Sequence, residues 1–140
     1  MVDQDLILKK LALIETCVTE LRTMARPERI GSDIREERFI AHTLQLAIQA
    51  ALDAASHIVS AKRLGEPKSY RQLFDLLANA GWLRPDLTKT MRNMARFRNI
   101  LVHGYEDIDL RIMADLIENK LDDFEFFVAE IRGGLDDSLA

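Results

Sequence analysis

Apolar residues recur at helical spacings along most of the chain, and no segment of any length alternates between apolar and polar positions as a strand would. In the first segment, residues 3–25, the apolar positions follow one another at steps of four or three: Ile7, Leu11, Ile14, Val18 and Leu21. Such a period places them on one face of an amphipathic helix. The pattern therefore predicts a helix over this segment.

A second, longer helix is predicted from Ser32 or Asp33 to Gly65. Either residue at its start can cap a helix, and Glu36 lies where the acid of a capping box would follow Asp33. Pro67 stands just beyond Gly65, as is common after a helix end. Alanines occur on several sides of the middle of this segment, so neighbouring helices can approach it closely. It is therefore expected to be the central helix of a bundle.

Three more helices are predicted in the second half of the chain. A short one covers residues 69–80, and a longer one covers residues 86–104. The last begins near Asp107 or Asp109 and ends at Gly133. Its apolar stripe comprises Leu110, Met113, Ile117, Leu121, Phe124, Val128 and Ile131.

These segments together predict an all-α fold, an antiparallel bundle of four main helices plus one short helix. Residues 1–132 are expected to form a single domain, because a chain of 140 residues is long enough for one hydrophobic core. Residues 133–140 are expected to be a frayed C-terminal tail.

The composition is that of an ordinary globular protein, with 48% hydrophobic residues, three prolines and six glycines. Charged residues interrupt every apolar run before it reaches the roughly 18 residues of a membrane span. The N-terminal residues include acids and lack the basic lead of a signal peptide. We therefore expect a cytoplasmic protein without a membrane-spanning segment.

The single cysteine, Cys17, lies on the apolar row of the first helix and is expected to be a buried structural thiol.

Candidate chemistry is concentrated near the end of the fourth helix, in the segment RFRNILVHGYEDID of residues 96–109. Arg98 supplies a planar fork of donors for phosphate oxygens, and Asn99 follows it directly. His103 adds an imidazole, the side chain that most often transfers protons near neutral pH. Tyr105 adds a hydroxyl group that can donate, accept or be modified. This group of residues is suited to handling a phosphate.

The fourth helix carries a charged residue on its apolar face. At ~100° per residue, Leu87, Met91, Met94 and Leu101 share one face, and Arg98 falls in the middle of it. A lone buried charge is costly. Arg98 must therefore be paired, solvated in a cleft or set against another subunit.

A basic ridge lies on the other side of the same helix, where Arg92 and Arg96 accompany Asn99 and His103. Residues 84–98 hold four Arg and one Lys against one Asp, a local balance of +4 in a chain whose net charge is −4. Such a patch is an electrostatic footprint for a phosphate backbone. The alternative is a solvated polar face with a helix-terminal histidine that favours the helix dipole.

The segment RNILVHGY, with Arg98, Asn99, His103 and Tyr105, resembles the R-x(4 to 6)-H motif of the HEPN superfamily. It has the R-N-x-x-x-H-x-Y form typical of HepT-like toxins. The chain length, the order of the helices, the ALDAASHIVS segment and the ID that follows the motif also fit that family. Arg96 fits the looser spacing as well, but Arg98 has the adjacent asparagine.

The resemblance implies a HEPN-like, homodimer-forming bundle that is the toxin of a toxin–antitoxin pair and a metal-independent endoribonuclease. Arg98 and His103 would be catalytic at a composite site across the homodimer, with Asn99 in support and no cofactor. The partner would be an MNT-type nucleotidyltransferase antitoxin, which neutralises the toxin by transferring AMP to Tyr105.

The chemistry of these residue types agrees with that implication. RNA carries its own nucleophile, the 2′-hydroxyl, so cleavage needs a base, an acid and positive charge for the phosphorane. His103 can be base or acid, with its counterpart in the second subunit in the opposite role, while Arg98 holds the phosphate and Arg92 and Arg96 bind the RNA. On an ideal helix Arg98 and His103 point ~140° apart. Unwinding of the helix at Gly104, or residues from both subunits, would bring them together.

Asp53 and His57, four residues apart in the second helix, form another polar pair. Asp53 either supports the motif, by holding Arg98 or orienting His103, or pairs with His57 as a purely structural contact. The histidines are not spaced as a recognisable metal site, and no metal is expected. Trp82 is expected to be a hydrophobic anchor under its loop rather than a stacking platform for RNA.

Three functions remain open from the sequence. The first is the toxin ribonuclease. The second is a non-cleaving HEPN helical module that binds a nucleotidyltransferase partner. The third is a plain helical interaction protein with a coincidental motif, which the combined Arg-Asn-His-Tyr spacing disfavours.

Overall fold

A computed structural model describes residues 2–139, apart from the side chains of Tyr105, Ser138 and Leu139. Within that range the chain forms six α-helices, two short 3-10 turns and no strand. The helices are α1 (Gln4–Met24), α2 (Ile34–Ala61), α3 (Tyr70–Asn79), α4 (Pro85–His103), α5 (Leu110–Asn119) and α6 (Leu121–Leu139), and the turns are Pro27–Arg29 and Tyr105–Asp107. The predicted all-α fold is confirmed.

Helix α2 lies at the centre of the bundle and packs against α1, α3 and α4. Alanines on several of its sides are fully or almost fully buried: Ala47, Ala50, Ala51, Ala54 and Ala55. A small side chain lets the backbone of a neighbouring helix come close, so these alanines allow three helices to contact α2 at once. The prediction of a central second helix is confirmed.

Side-chain contacts at the helix ends show the antiparallel arrangement. His57 near the end of α2 accepts a hydrogen bond from the backbone N–H of Asp3, which caps the start of α1. Helices α1 and α6 also run in opposite directions, because Arg22 pairs with Asp122 while Glu15, earlier in α1, pairs with Arg132, later in α6.

The helix starts follow the capping residues in the sequence. At the first turns of four helices a side-chain oxygen of the capping residue accepts hydrogen bonds from backbone N–H groups of the helix; the capping residues are Asp3, Asp33, Ser69 and Asp109. The capping box at Asp33 is only half formed. Glu36 accepts the backbone N–H of Arg26 at 3.0 Å instead, which ties the preceding turn to α2.

The predicted fifth helix is wrong in one respect, because the chain forms two helices there, α5 and α6, separated at Lys120. Arg22 of α1 binds Asp122 and Glu125 in the first turns of α6, whereas α5 packs against the Pro27–Arg29 turn. The two helices therefore meet different neighbours. The apolar stripe continues across the break with the same spacing, so the sequence gives no sign of it.

The predicted helix end at Gly133 is also wrong, because α6 continues through Gly134 to Leu139. The ring of Trp82 covers Gly134 so closely that a Cβ there would lie 3.0 Å from Trp82 Cδ2 and nearer still to Cε3 and Cζ3. Leu135 is buried beside it. Gly134 therefore makes room for the indole, in keeping with the anchor role expected of Trp82. The fraying expected of this tail stays a prediction.

Helix α2 ends at Ala61, before the predicted stop at Gly65. Arg63 adopts the left-handed region with φ 55°, and Gly65 follows with φ 137°. The chain thus leaves the helix one turn early and uses Gly65 for the loop rather than for the helix end.

Two expectations from composition concern Cys17 and the membrane. Cys17 is buried as predicted, and burial raises the pKa of its thiol to about 11. None of the helices within residues 2–139 is both long and apolar enough to cross a bilayer.

Candidate active site

Helix α4, which carries the candidate residues, is regular and has defined ends. Pro85 occupies its first turn, where a missing N–H costs nothing, and Gly104 caps its end by donating to the carbonyl of Ile100 at 2.8 Å. The apolar face is buried along its whole length, including Met91 and Met94. The helix is intact through its last residue, so unwinding at Gly104 does not bring the motif residues together.

Arg98 is partly buried and is held on three sides. Its Nε donates to Oε1 of Gln49 at 2.9 Å, and its Nη1 donates to Oδ1 of Asn99 at 3.3 Å. Its Cζ lies over the ring of Tyr70, 5.1 Å from the centroid. All three partners are neutral, and no carboxylate among the described residues pairs with the guanidinium. The positive charge of Arg98 is therefore fixed in place but not neutralised.

Asp53 lies one hydrogen bond behind this arrangement. Its Oδ1 accepts from Nε2 of Gln49 at 2.8 Å, and its Oδ2 pairs with Nζ of Lys10 at 3.1 Å. Asp53 thus orients the amide that holds Arg98 and does not contact the guanidinium itself. It does not pair with His57 either, since the described hydrogen bond of that imidazole comes from the backbone before α1.

His103 is the last residue of α4 and is exposed. It borders an open groove of about 520 Å³ together with Asn99, Gly104 and Asp107. The imidazole has no hydrogen-bond partner among the described residues, so it is free to meet a ligand. The side chain of Tyr105, the predicted modification site, lies outside the part that the structure describes.

Within one chain, Arg98 and His103 point to different places. Arg98 turns toward α2 and α3, and His103 faces the groove at the end of α4. Asn99 is the link between them, because it contacts Arg98 and also borders the groove of His103. As helical geometry predicts, the two side chains lie on different sides of α4.

The basic ridge divides into two environments. Arg92 pairs with Asp75 of α3 at 3.6 Å, so its charge is compensated. Arg96 is exposed and borders a groove of about 290 Å³ between α4 and α5, with Ile112 and Lys120 on the opposite side. Binding of RNA by Arg92 and Arg96 stays a prediction, and of the two only Arg96 lacks a carboxylate partner among the described residues.

Sequence reasoning missed Gln49 and Tyr70. Gln49 precedes Asp53 by one helical turn on the same face of α2, so the supporting role considered for Asp53 could have directed attention to it. Tyr70 gives no such signal. Its contact with Arg98 depends on how α3 lies against α4, which spacing along the chain does not indicate. No group of three His, Cys, Asp or Glu side chains within the described residues is arranged to hold a metal ion.

An all-α bundle whose penultimate long helix carries this Arg-Asn-His arrangement defines a HEPN-type protein. The sequence model of the family described as "Ribonuclease HepT-like" matches residues 7–131. This match covers most of the chain, and the chain therefore belongs to the ribonuclease HepT-like family.

Related proteins agree with this assignment. The mRNA nuclease HepT of Shewanella oneidensis is 30% identical over 129 residues, which cover 91% of this chain and 97% of that protein. The tRNA nuclease HepT of Aphanizomenon flos-aquae is 31% identical over 104 residues, covering 74% of this chain and 71% of that protein. The solved structure of a tri-AMPylated Shewanella oneidensis HEPN toxin in complex with MNT antitoxin matches with a TM-score of 0.85 at 30% identity, covering 92% of this chain and 98% of that one. The family resemblance stated from the motif is confirmed.

Proposed function

We propose that this chain is the toxin of a toxin–antitoxin pair and acts as an endoribonuclease. The observation that carries the proposal is the state of Arg98, whose positive charge is held in place by neutral partners and is available to a phosphate. His103, exposed at the end of the same helix, supplies a group that can transfer a proton. Membership of the ribonuclease HepT-like family supports the same activity.

The cleavage step uses the 2′-hydroxyl of the RNA as nucleophile. A base removes its proton as the oxygen attacks the adjacent phosphorus, and the 5′-oxygen of the next nucleotide leaves with a proton from an acid. The products are a 2′,3′-cyclic phosphate and a 5′-hydroxyl. Arg98 stabilises the charge that develops on the phosphorane, and His103 provides the proton transfer.

Two copies of the chain are needed for a complete site. Arg98 and His103 face different sides of α4 in one chain, so a second copy is the simplest source of a histidine opposite each arginine. In this arrangement the two motif helices line one cleft, and one His103 acts as the base while the same residue of the other copy acts as the acid. Asn99, which contacts Arg98 and borders the groove of His103, orients either group.

Neutralisation by AMP transfer belongs to the same proposal. Tyr105 follows His103 by two residues, so an AMP group on its hydroxyl would place negative charge and bulk at the mouth of the site and repel RNA. A relative is known as a tri-AMPylated toxin in complex with MNT antitoxin, which supports an MNT-type nucleotidyltransferase as the partner. The assignment of Tyr105 as the modified residue stays a prediction.

The substrate class is RNA, and the site of action is the cytoplasm, where the RNA substrate and the antitoxin would both be present. One relative is named for mRNA and the other for tRNA. The family therefore supports an RNA substrate without selecting between these two.

The test is RNA cleavage by the purified chain beside a His103→Ala variant, with Tyr105 shown to be unmodified by mass spectrometry. We expect the wild-type chain to produce discrete fragments that end in 2′,3′-cyclic phosphates. His103→Ala should lose about 100-fold to 10,000-fold in rate, the usual contribution of a positioned acid or base.

Two further variants make the test specific. His103→Gln keeps a hydrogen-bonding side chain but cannot transfer the proton, so it should be as inactive as the alanine variant. Arg132→Ala removes an arginine that pairs with Glu15 at the seam of α1 and α6, and it should retain activity. A folded, unmodified wild-type chain that leaves total RNA intact would instead indicate the non-cleaving module that binds a nucleotidyltransferase.

A further inference from the structure

A third groove lies beside Arg98 and is not used by the chemistry described above. It has a volume of about 460 Å³ and opens to solvent where the start of α3 faces α4. Its lining includes Tyr70, Leu73, Lys68, Ser56 and Asn99. Because Asn99 also contacts Arg98 and borders the groove of His103, the three features form one continuous surface.

Tyr70 provides the only aromatic ring among the described residues that line this groove. Tyr70 is 42% exposed, although it lies in the first turn of a helix that buries Leu73, Phe74 and Leu77 and leaves Leu76 partly buried. The guanidinium of Arg98 lies 5.1 Å from the ring centroid. The ring therefore stands next to the point where Arg98 would hold a phosphate, with much of its surface open to a second flat group.

The polar groups of the groove are mostly donors that the protein itself leaves available. The ammonium of Lys68 has no partner among the described residues, and the hydroxyl of Ser56 is exposed. Asn99 accepts from Arg98 through Oδ1, which leaves its amide NH₂ group for a ligand. Leu73 adds an apolar floor. This combination of a π-face, an apolar floor and donors suits a planar ring with acceptor atoms on its edge.

We propose that this groove is a nucleobase subsite, in which the base of a single-stranded RNA nucleotide stacks on Tyr70 beside the phosphate held by Arg98. The subsite rests on the proposed ribonuclease function and adds a residue that recognises the substrate. Single-stranded RNA is read in this way elsewhere, by bases that leave the helical stack and lie on aromatic rings or arginine planes. Lys68, Ser56 and Asn99 then contact the edge of the base and decide which bases are preferred.

A bare phosphate group does not explain the groove, because it would use the cations and leave the ring without a role. A nucleotide uses both, since its phosphate and its base are covalently linked and the groove places a cation and a ring side by side. The alternative to base stacking is that Tyr70 only holds Arg98 in position. The experiment below separates that role from base stacking.

The test measures the affinity of the wild-type chain for two short oligonucleotides, a DNA hexanucleotide and the same sugar–phosphate backbone without bases. Neither can be cleaved, because both lack the 2′-hydroxyl that attacks. We expect the bases to increase the affinity by roughly 5-fold to 150-fold, the range for one stacked base. In Tyr70→Leu this gain should be lost, so that the two oligonucleotides bind with nearly equal affinity. The affinity for the abasic backbone should stay the same as in the wild-type chain. Tyr70→Phe, which keeps the ring, should retain the gain.

Phe126 offers a matched control. Its ring is 44% exposed and lies under the guanidinium of Arg84, with 4.9 Å between Cζ and the centroid. This pair repeats the arginine–aromatic arrangement at a place far along the chain from the motif. Phe126→Leu should therefore leave the gain from the bases unchanged.

Three results would overturn the subsite. The first is equal affinity for the two oligonucleotides, or none for either. The second is a loss of affinity for both in Tyr70→Leu with the gain from the bases preserved, which would make Tyr70 only a support for Arg98. The third is a change of oligomeric state in Tyr70→Leu, which would make the groove a contact between copies of the chain.

The subsite and the ribonuclease function fail separately, because the binding measurement needs no cleavage. A chain that cleaves RNA without a gain that depends on Tyr70 keeps the function and loses the subsite. A chain that cleaves no RNA but shows that gain loses the function and keeps a nucleobase site.

Discussion

Arg98 combines two properties that seldom occur together in a partly buried arginine. Its position is fixed by hydrogen bonds and a ring contact, yet no acid among the residues that the structure describes neutralises it. The carboxylate of Asp53 is linked to Arg98 only through Gln49. It binds Gln49 and Lys10 instead of the guanidinium. The amide of Gln49 thus separates the positive charge of Arg98 from the negative charge of Asp53. A phosphate can then be the first anion that Arg98 meets.

This arrangement predicts that Gln49→Ala lowers kcat/KM for RNA cleavage by about tenfold, since one hydrogen bond of about 1 to 1.5 kcal/mol no longer orients the guanidinium. The melting temperature should change little, because Arg98 and Asp53, the two partners of the Gln49 amide, are both partly open to water. Gln45→Ala is the matched control, as this glutamine lies one turn earlier on α2 and is also partly buried. Equal kcat/KM values in the two variants would show that Gln49 does not position Arg98.

The sequence predicts some of these relations between residues and not others. The placement of Arg98 and His103 on different sides of α4 follows from helical geometry, and the structure has it. The contacts of Arg98 with Gln49 and Tyr70 join residues on three helices, so they depend on how the helices pack. Spacing along the chain does not indicate how the helices pack. For this reason Tyr70 is not among the predicted site residues.

Helix α6 shows how a single contact can decide the extent of an element. Gly133 and Gly134 predict a stop, but only Gly134 has a neighbour within 4 Å of the place where a Cβ would be. That neighbour is the ring of Trp82, which is partly buried and packs against the core. The glycine is needed for the ring, and the helix continues because Leu135 beyond it is buried.

The two glycines therefore predict opposite effects of the same substitution. Gly133→Ala should stabilise the chain by about 0.5 to 1 kcal/mol, because alanine favours the helix and meets nothing there. Gly134→Ala should destabilise it by about 1 to 3 kcal/mol, because the new methyl group displaces the indole. Urea unfolding of both variants measures the difference. Stabilisation by both substitutions would mean that Trp82 does not pack on Gly134.

At the scale of elements, the sequence predicted helix ends correctly at Asp3, Ser69 and Gly104, where a capping residue or a glycine stands. A glycine does not always mark an end, since α2 stops before Gly65 and α6 continues past Gly133. The sequence also gives no sign of the break at Lys120, where no proline or glycine stands. Beyond the break, Arg22 of α1 pairs with Asp122 and Glu125 in the first turns of α6. An apolar stripe describes the side that faces the core. It does not tell whether one helix or two present that side.

The whole molecule carries a net charge of −4, while residues 84–98, which lead into the motif, carry a balance of +4. Such a distribution repels RNA from most of the surface and attracts it to one region, where fixed charges can guide its approach. The same distribution of charge suits an RNA-binding site that is blocked when negative charge is added beside His103. The charge pattern, visible in the sequence, thus agrees with the placement of Arg98 in the structure.

In the proposed dimer, one cleft shared by two copies of the chain uses both histidines. The most direct measurement is the RNA cleavage rate of a mixed dimer of wild-type and His103→Ala chains, isolated through two different affinity tags. We predict a rate close to that of the His103→Ala homodimer, because the cleft would lack either its acid or its base. A mixed dimer with half the wild-type rate would contradict the claim, since each chain would then contain a complete site of its own.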